Sequence, residues 1–131
     1  MLQKVLKDSL GTVTDTIAFS YDSLGNLAAA ADTDSSLTFT YDPLGRLSQA
    51  ATGASIAQPA TAISYTYDQN GNRLSMTDPQ AGVTNYVYDA LNRLTSLTSP
   101  QGTSTFAYDA LSRRTRLRLS NGATATYTYD A

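Results

Sequence analysis

The feature that most constrains this chain is a Tyr-Asp pair that occurs six times along it. Successive pairs are 20, 26, 21, 20 and 21 residues apart, and each tyrosine has a second aromatic residue two positions upstream. Together these residues account for every aromatic side chain in the protein. Because all the large rings belong to one motif of nearly constant period, the chain must fold as an array of repeated units.

Each motif ends a stretch in which large and small side chains alternate. Ile17, Phe19 and Tyr21 fall on one face at a period of two, and Thr or Ser commonly fills the positions between them. This pattern is typical of a half-exposed β-strand. Glu is absent and all 11 acidic residues are Asp, which suits turns and strands better than helices. The sequence therefore predicts an all-β protein, a strip of antiparallel strands in hairpin-like repeats.

A turn is expected after every Tyr-Asp pair. The Asp side chain can accept a hydrogen bond from a backbone N–H two residues on, and it would lock the turn. The fifth residue of the motif is Gly in three copies, Asn92 in the fourth and Ser112 in the fifth, and Gly and Asn accept a positive φ. A descending strand follows, as in residues 93–98. Pro, Gly and Asn-Gly then predict a second set of turns, at residues 32–36, 78–82, 99–102 and 120–122.

The whole chain, 1–131, is interpreted as one array whose motifs begin near residues 19, 39, 65, 86, 106 and 127. The longest interval predicts a surface loop insertion at about residues 50–62, which contain Gly53 and Pro59. Residues 5–11 resemble the tail of a further repeat and match residues 117–122. The pattern starts and stops in mid-repeat, so we expect a fragment of a longer array.

Arginines recur just after the turns, and they are the expected ties between repeats. They could stack on the Tyr rings of neighbouring units, or pair with the Tyr-Asp aspartates at repeat spacing. Asn26 occupies this position in the first complete copy, so the series is imperfect. The residues expected to build the repeat are Phe19, Tyr21, Asp22, Gly25, Phe39, Tyr41, Asp42, Gly45, Arg46, Tyr65, Tyr67, Asp68, Gly71, Arg73, Tyr86, Tyr88, Asp89, Asn92, Arg93, Phe106, Tyr108, Asp109, Arg113, Tyr127, Tyr129 and Asp130.

Composition argues against several functional classes. The net charge of −2 is too small to steer nucleic acid or anionic membranes. The chain has no His and no Cys, so the usual general base and the thiol nucleophile are missing and no enzyme is expected. Residues 1–11 lack the apolar run of a signal peptide, and no segment approaches the length of a transmembrane helix. No cofactor, metal, nucleic-acid partner or membrane insertion is expected.

Three local features have a second interpretation. The twelve rings could form a sugar-binding ladder instead of a packed stripe. Residues 68–72 offer oxygen ligands for Ca²⁺, but the closing Glu of an EF-hand is absent and turn capping is the preferred interpretation. The basic cluster at Arg113, Arg114, Arg116 and Arg118 could meet nucleic acid or an acidic partner, whereas alternation with Leu117 and Leu119 favours a solvated strand face.

The repeats resemble the RHS/YD-repeat family in Tyr41-Asp42-Pro43-Leu44-Gly45-Arg46-Leu47, Tyr67-Asp68-Gln69-Asn70-Gly71-Asn72-Arg73 and Tyr88-Asp89-Ala90-Leu91-Asn92-Arg93-Leu94. The resemblance implies a strip of antiparallel strands that winds in a spiral. In large members the spiral is a hollow shell that encloses a toxic C-terminal domain of bacterial polymorphic toxins and insecticidal toxin complexes. Similar repeats occur in bacterial wall-associated proteins and in animal teneurins. The implied role is containment and display by a secreted or cell-surface bacterial protein.

The chain is much shorter than such a shell and can form only a sector of one. The expected partners are the remainder of the shell or an enclosed effector. A free sector exposes two sheet edges, so it could associate with itself as an oligomer or filament. The alternative function is a surface that binds carbohydrate or another partner. Large RHS proteins also resemble aspartyl autoproteases at a Asp-Pro-x-Gly-type motif, to which residues 42–45 are superficially similar.

Overall fold

A computed structural model describes residues 2–53 and 59–130. The chain divides into two compact units, residues 1–64 and 65–131. The first unit contains β1 (Leu2–Lys7), β2 (Val13–Tyr21), β3 (Leu27–Ala31), β4 (Ser36–Tyr41), β5 (Leu47–Thr52) and the first part of β6 (Thr61–Tyr67). The second contains the end of β6 and β7 (Arg73–Asp78), β8 (Gly82–Tyr88), β9 (Leu94–Ser99), β10 (Gly102–Tyr108), β11 (Arg114–Arg118) and β12 (Thr124–Thr126).

Strands that follow one another in the chain pair with one another in the sheet, and they pair antiparallel. In the first unit β2 pairs with β3, with Ala18 opposite Ala31. In the second unit β8 pairs with β9, with Asn85 opposite Thr98. The predicted fold class, all-β with repeated antiparallel hairpins, is confirmed. The described part of the chain contains no apolar helix of membrane-spanning length.

The five complete Tyr-Asp turns share one backbone geometry. The Asp N–H donates to the carbonyl four residues on at 2.8–3.0 Å, and the N–H three residues on donates to the Asp carbonyl at 2.9–3.2 Å. This is a type I turn closed by a residue in the left-handed region. The predicted positive φ is confirmed, and it is 76° at Gly45, 60° at Asn92 and 63° at Ser112.

A β-bulge accompanies the turn at Tyr21 and at three further Tyr-Asp pairs whose strand register the structure describes. Between β2 and β3, Ser20 lies opposite Ala29 but Tyr21 lies opposite Leu27, so Ala28 is the extra residue. The same shift occurs at Tyr41, Tyr88 and Tyr108. A bulge sharpens the local twist and re-aims the side chains beside it. The sequence analysis did not anticipate this feature.

The connections at the other ends of the strands vary in length, from two residues at 100–101 and five at 119–123 to eight between β5 and β6. The expected match between the opening stretch and residues 117–122 is confirmed at the level of the backbone. Asp8 N–H donates to the Thr12 carbonyl at 2.9 Å, and Leu119 N–H donates to the Ala123 carbonyl at 2.8 Å. Both are therefore five-residue turns of the kind that follows Tyr-Asp.

Part of the stretch in which a loop insertion is expected, about residues 50–62, belongs to strands. Ala50 lies opposite Ile63 and Thr52 opposite Thr61, so residues 50–52 and 61–62 belong to β5 and β6. The connection therefore runs from 53 to 60, and residues 54–58 lie outside the described residues. Cross-strand pairing extended the strands because Ala, Ser and Thr are compatible with a ladder as well as with a loop.

No described residue is buried, so neither unit has a covered core. On β8 the rings of Tyr86 and Tyr88 are half-buried, while Val83 and Val87 on the opposite face are exposed. On β8 the ring face is therefore the less exposed face of the strand. The leucines at the tips of the turns are the most exposed apolar residues, with Leu24 at 76% and Leu111 at 74%.

Candidate functional site

The Asp of each motif holds its own turn together. Asp89 Oδ1 accepts hydrogen bonds from the backbone N–H of Leu91 at 2.9 Å and of Arg93 at 3.0 Å. Its Oδ2 accepts the Arg93 Nε–H at 2.7 Å. Asp42 and Asp109 form the same set of bonds. The backbone N–H of Arg93 is the largest cause that lowers the pKa of Asp89 below its ordinary value.

Two copies use Asn where the others use Arg. The side-chain amide of Asn26 donates to Asp22 Oδ2 at 2.9 Å, and that of Asn72 donates to Asp68 Oδ2 at 2.9 Å. In each case this side-chain hydrogen bond is the largest cause that lowers the pKa of the aspartate. A neutral amide therefore closes the turn as an arginine does.

Two expectations about the arginines are corrected. Arg73 does not belong with Arg46, Arg93 and Arg113, because Asn72 occupies their position and Arg73 lies one residue further along. Each of those three arginines also pairs with the Asp of its own turn, four residues upstream. The short turn brings Asp and Arg together before any other repeat is reached.

The guanidinium groups do reach the next repeat through its ring and backbone. The guanidinium carbon of Arg93 lies 4.8 Å from the centre of the Tyr108 ring. Its Nη1 donates to the Asp109 carbonyl at 3.1 Å and to Ser112 Oγ at 3.2 Å. Arg113 lies 4.5 Å from the Tyr129 ring in the same way. Each arginine thus links one turn to the following turn.

The second aromatic residue of a motif, the tyrosine of the Tyr-Asp pair, bonds to the backbone of the preceding hairpin. Tyr41 Oη donates to the Leu27 carbonyl at 2.9 Å, and Tyr108 Oη donates to the Leu94 carbonyl at 2.8 Å. Sequence analysis missed this contact. Its only trace in the sequence is the similar separation between the partners, 14 residues at Tyr41 and Tyr108 and 15 at Tyr129.

Arg73 and Arg114 lie on the ring face itself. They are 4.6 Å from the Tyr86 ring and 4.8 Å from the Tyr127 ring, and each Nη2 donates to the tyrosine hydroxyl at 3.1 Å. Arg73 also lies 5.7 Å from the Tyr65 ring. Its Nε is buried and has no hydrogen-bond partner among residues 2–53 and 59–130.

The basic cluster divides into two pairs. Arg113 and Arg114 contact tyrosines, whereas Arg116 and Arg118 are exposed and alternate with the half-buried Leu117. The expected solvated face therefore describes the second pair only. The described residues contain no group of three acidic side chains close enough to hold a metal ion together.

In the second unit, side-chain amides connect the turn at 68–72 to the turn at 89–93. Asn70 Nδ2 and Asn72 Nδ2 donate to Asn92 Oδ1 at 3.1 Å and 2.8 Å. These residues border a cleft of about 440 Å³, which Tyr88 also lines. Burial raises the pKa of the Tyr88 hydroxyl above its ordinary value.

Known proteins that are similar to the chain share both its motif and its fold. The RHS repeat family model matches residues 21–57 and 88–124. No curated protein matches the chain. The crystal structure of TcdB2-TccC3-TEV superposes with a TM-score of 0.75 at 17% identity, over 95% of this chain and 8% of that chain. The structure of the Photorhabdus luminescens Tc holotoxin pore with a TccC3 mutation gives the same four values.

The crystal structure of TcdB2-TccC3-Cdc42 superposes with a TM-score of 0.75 at 21% identity, over 88% of this chain and 6% of that chain. This chain spans less than a tenth of each of these three solved chains, and the likeness shows the fold alone. The resemblance drawn from the Tyr-Asp motif is confirmed. The two family matches cover more than half of the sequence, and the chain belongs to the RHS repeat family.

Proposed function

We propose that this chain is a non-catalytic structural module, a sector of an RHS β-shell that encloses or displays a toxin or effector domain. The observation that supports this most strongly is the use of the motif's polar groups. The Asp carboxylates close turns, and Arg93 and the Tyr108 hydroxyl bond to neighbouring repeats. Residues engaged in this way build an array and are not set apart for a substrate.

The state of the carboxylates also supports a structural role. A general acid needs a carboxyl pKa near the working pH. The pKa of Asp42 is instead lowered, chiefly by the backbone N–H of Arg46, and its carboxylate accepts three hydrogen bonds. Asp42 therefore resembles the other turn aspartates. The autoprotease alternative predicts a cut near Asp42 that Asp42→Asn abolishes, and we expect the intact mass to persist on long incubation.

A graft tests the proposed shell. The chain would replace the stretch on which it superposes in the solved TcdB2-TccC3 chain, and shell assembly and protection of the C-terminal region from protease would be measured. We expect an assembled shell with the native protease resistance. The matched control carries Tyr86→Ala and Tyr108→Ala, which remove rings of the stripe and should open the shell. A graft that fails to assemble while the isolated chain is folded would contradict the proposal.

The rival function, carbohydrate or partner binding through the rings, requires open ring faces. Guanidinium groups lie over Tyr86, Tyr108 and Tyr129. Tyr86→Ala separates the two roles. We expect Tyr86→Ala to reduce the stability of the folded chain. We expect no glycan binding that the variant could lose. Glycan-array binding that disappears in a folded Tyr86→Ala variant would support the rival.

Edge association is a second proposed activity of the isolated chain. β1 stands first in the strand order, its side chains are exposed, with Leu2 at 60% and Val5 at 46%, and an exposed strand edge is a template for pairing. We expect concentration-dependent oligomers or filaments in light scattering, and Val5→Lys should suppress them. A monodisperse monomer at high concentration would contradict this activity. We further propose a secreted or cell-surface location in a bacterium.

A further inference from the structure

The cleft between the turns at 68–72 and 89–93 departs from the repeat pattern at three positions. Asn70 replaces the leucine found at the tips of the neighbouring turns, Asn72 replaces the arginine, and Asn92 replaces the glycine. Places where a repeat breaks its own rules are candidates for function. The space of about 440 Å³ that results is large enough for a small ligand or a side chain.

The following turn pairs show what normally fills this space. Arg93 lies over the Tyr108 ring and donates to the Asp109 carbonyl and to Ser112 Oγ. Arg113 lies over Tyr129 and points its Nη1 at the Asp130 carbonyl, 3.5 Å away. The equivalent positions in the cleft are the Tyr88 ring, the Asp89 carbonyl and Asn92 Oδ1.

Those equivalents are present without their arginine. Within the described ranges no guanidinium lies over Tyr88, and its hydroxyl donates to no backbone carbonyl, although Tyr41, Tyr108 and Tyr129 all do so. The Asn72 amide reaches Asp68 and Asn92, but it forms no hydrogen bond to the Asp89 carbonyl and carries no cation to the Tyr88 ring. We propose that this cleft binds the guanidinium group of an arginine side chain from a partner polypeptide.

The chemistry of the walls selects that group. The Tyr88 ring offers a π-face to a planar cation, and the Asp89 carbonyl accepts an N–H donor from its fork. Asn92 Oδ1 accepts from Asn70 and Asn72 in the structure, so the guanidinium displaces one of these amides to donate to it. Asp89 is already paired with Arg93, but the Asp68 carboxylate at the lining is held by the neutral amide of Asn72 and favours a cation over an anion. A lysine ammonium is compact and more strongly hydrated, so it matches the separated acceptors less well.

The first unit contains a natural control. Asn26 also replaces an arginine there, but the next turn has Gly45 without a side-chain acceptor, and the Tyr41 hydroxyl is already bonded to the Leu27 carbonyl. The missing arginine alone therefore does not make the site. The site requires the missing arginine together with Asn92 and the unbonded Tyr88 hydroxyl.

Side-chain amide signals in NMR spectra of the ¹⁵N-labelled chain test the proposal, with N-acetyl-arginine amide as the probe. We expect saturable shifts at Asn70, Asn72 and Asn92, and none at Asn26. N-acetyl-lysine amide and neutral N-acetylglucosamine are the comparison probes, and both should shift these signals much less. Asn72→Arg places an arginine in the cleft from within the chain and should abolish the response, whereas Asn26→Arg should leave it unchanged.

Each other outcome overturns the proposal. Equal shifts with the lysine probe would indicate a generic cation effect, and larger shifts with the sugar would indicate a carbohydrate site. A response that persists in folded Asn72→Arg would place the ligand elsewhere. Asn92→Gly provides a second variant in case Asn72→Arg does not fold. Glycine suits the φ of 60° at this position, and loss of the amide oxygen should weaken binding at least severalfold. Unchanged affinity in Asn92→Gly would contradict the assigned acceptor.

Discussion

The turn at 42–46 in the first unit and the turn at 109–113 in the second have the same backbone and the same Asp cap, but they receive different neighbours. The repeat before the first supplies Asn26, whose amide ends at Asp22. The repeat before the second supplies Arg93, which reaches the Tyr108 ring, the Asp109 carbonyl and Ser112. The difference shows that closing a turn and coupling two turns are separate tasks. Asp with a short amide is enough for the first task. For the second, Arg93 reaches the ring and the carbonyl of the next turn, whereas the amide of Asn72 couples two turns only where Asn92 supplies an acceptor.

The residue at positive φ follows the same division. Gly45 adopts its φ of 76° without strain but has no side chain to offer. Ser112 is held at 63°, where a residue with a Cβ is less stable, yet its Oγ accepts Arg93 Nη1. Asn92 likewise accepts from Asn70 and Asn72. Backbone strain in the second unit thus coincides with a contact between turns that glycine could not make.

Acid should have the largest effect because it acts on all the turns at once. The pKa values of Asp22, Asp42, Asp68, Asp89 and Asp109 are lowered in the folded chain. Their stabilisation is present above the unfolded pKa of about 4 and is lost as the pH falls through the folded values. We expect unfolding below about pH 4 by circular dichroism. Turns closed by Asn and by Arg should both open. If the turn at 22–26 alone persisted at low pH, the five turns would not depend in the same way on an ionised Asp.

Removal of a tyrosine ring should lower the stability of the two units by different amounts. We expect Tyr108→Ala to destabilise the second unit by about 2–3 kcal/mol, because it removes apolar area, a hydroxyl hydrogen bond and the surface under Arg93. Tyr41→Ala in the first unit should cost less, because no guanidinium from the preceding repeat lies on that ring. Urea denaturation measures both. Equal losses would show that Arg93 adds nothing to the ring.

Exchange of the linking residue tests the comparison directly. Arg93→Asn should destabilise by about 1–2 kcal/mol, because the cation–π contact and the bonds to the next turn are lost. Asn26→Arg should stabilise by less than about 1 kcal/mol, because a ring and a carbonyl are present but Gly45 offers no acceptor. Thermal denaturation of both variants is the measurement. A neutral Arg93→Asn would contradict coupling between turns.

The smallest effect is expected at the strained turn residue. Ser112→Gly should change stability by less than about 0.5 kcal/mol, since relief of the positive φ offsets the lost acceptor. In a background with Arg93→Asn the acceptor is no longer used. The same change should then stabilise by about 1 kcal/mol. A double-mutant cycle measures the difference, and additive effects would show that Ser112 and Arg93 are not coupled.

Local features of the fold were predictable from the sequence, and contacts between repeats were less so. The alternation at Ile17, Phe19 and Tyr21 and the Gly or Asn in each turn report backbone conformation, which is set within a few residues. The bulge beside Tyr21 depends on the registration of two strands, for which Ala28 and its neighbours carry no marked preference. The Tyr41 hydroxyl partner, a backbone carbonyl, has no sequence signature.

The position of Arg73 shows why the candidate site was missed. Residue type alone places Arg73 with the other arginines, whereas the role of a residue in the turn depends on its distance from the Asp. Counted from Asp68, the linking position is Asn72, and the cleft follows from that substitution. The acceptor role of Asn92 could not be predicted either, because the sequence justified it through its tolerance of positive φ alone.

Every complete Tyr-Asp connection has the same five-residue turn, whereas the connections at the other strand ends run from two residues to the eight between β5 and β6. Gain or loss of length during evolution is therefore expected at those ends, where the flanking ladder, such as Thr52 opposite Thr61, already fixes the register. A hairpin could be duplicated in such an array, or deleted from it, and the neighbouring hairpins would keep the same kinds of contact. The connection at residues 53–60 is accordingly the natural place to insert a reporter domain or an epitope.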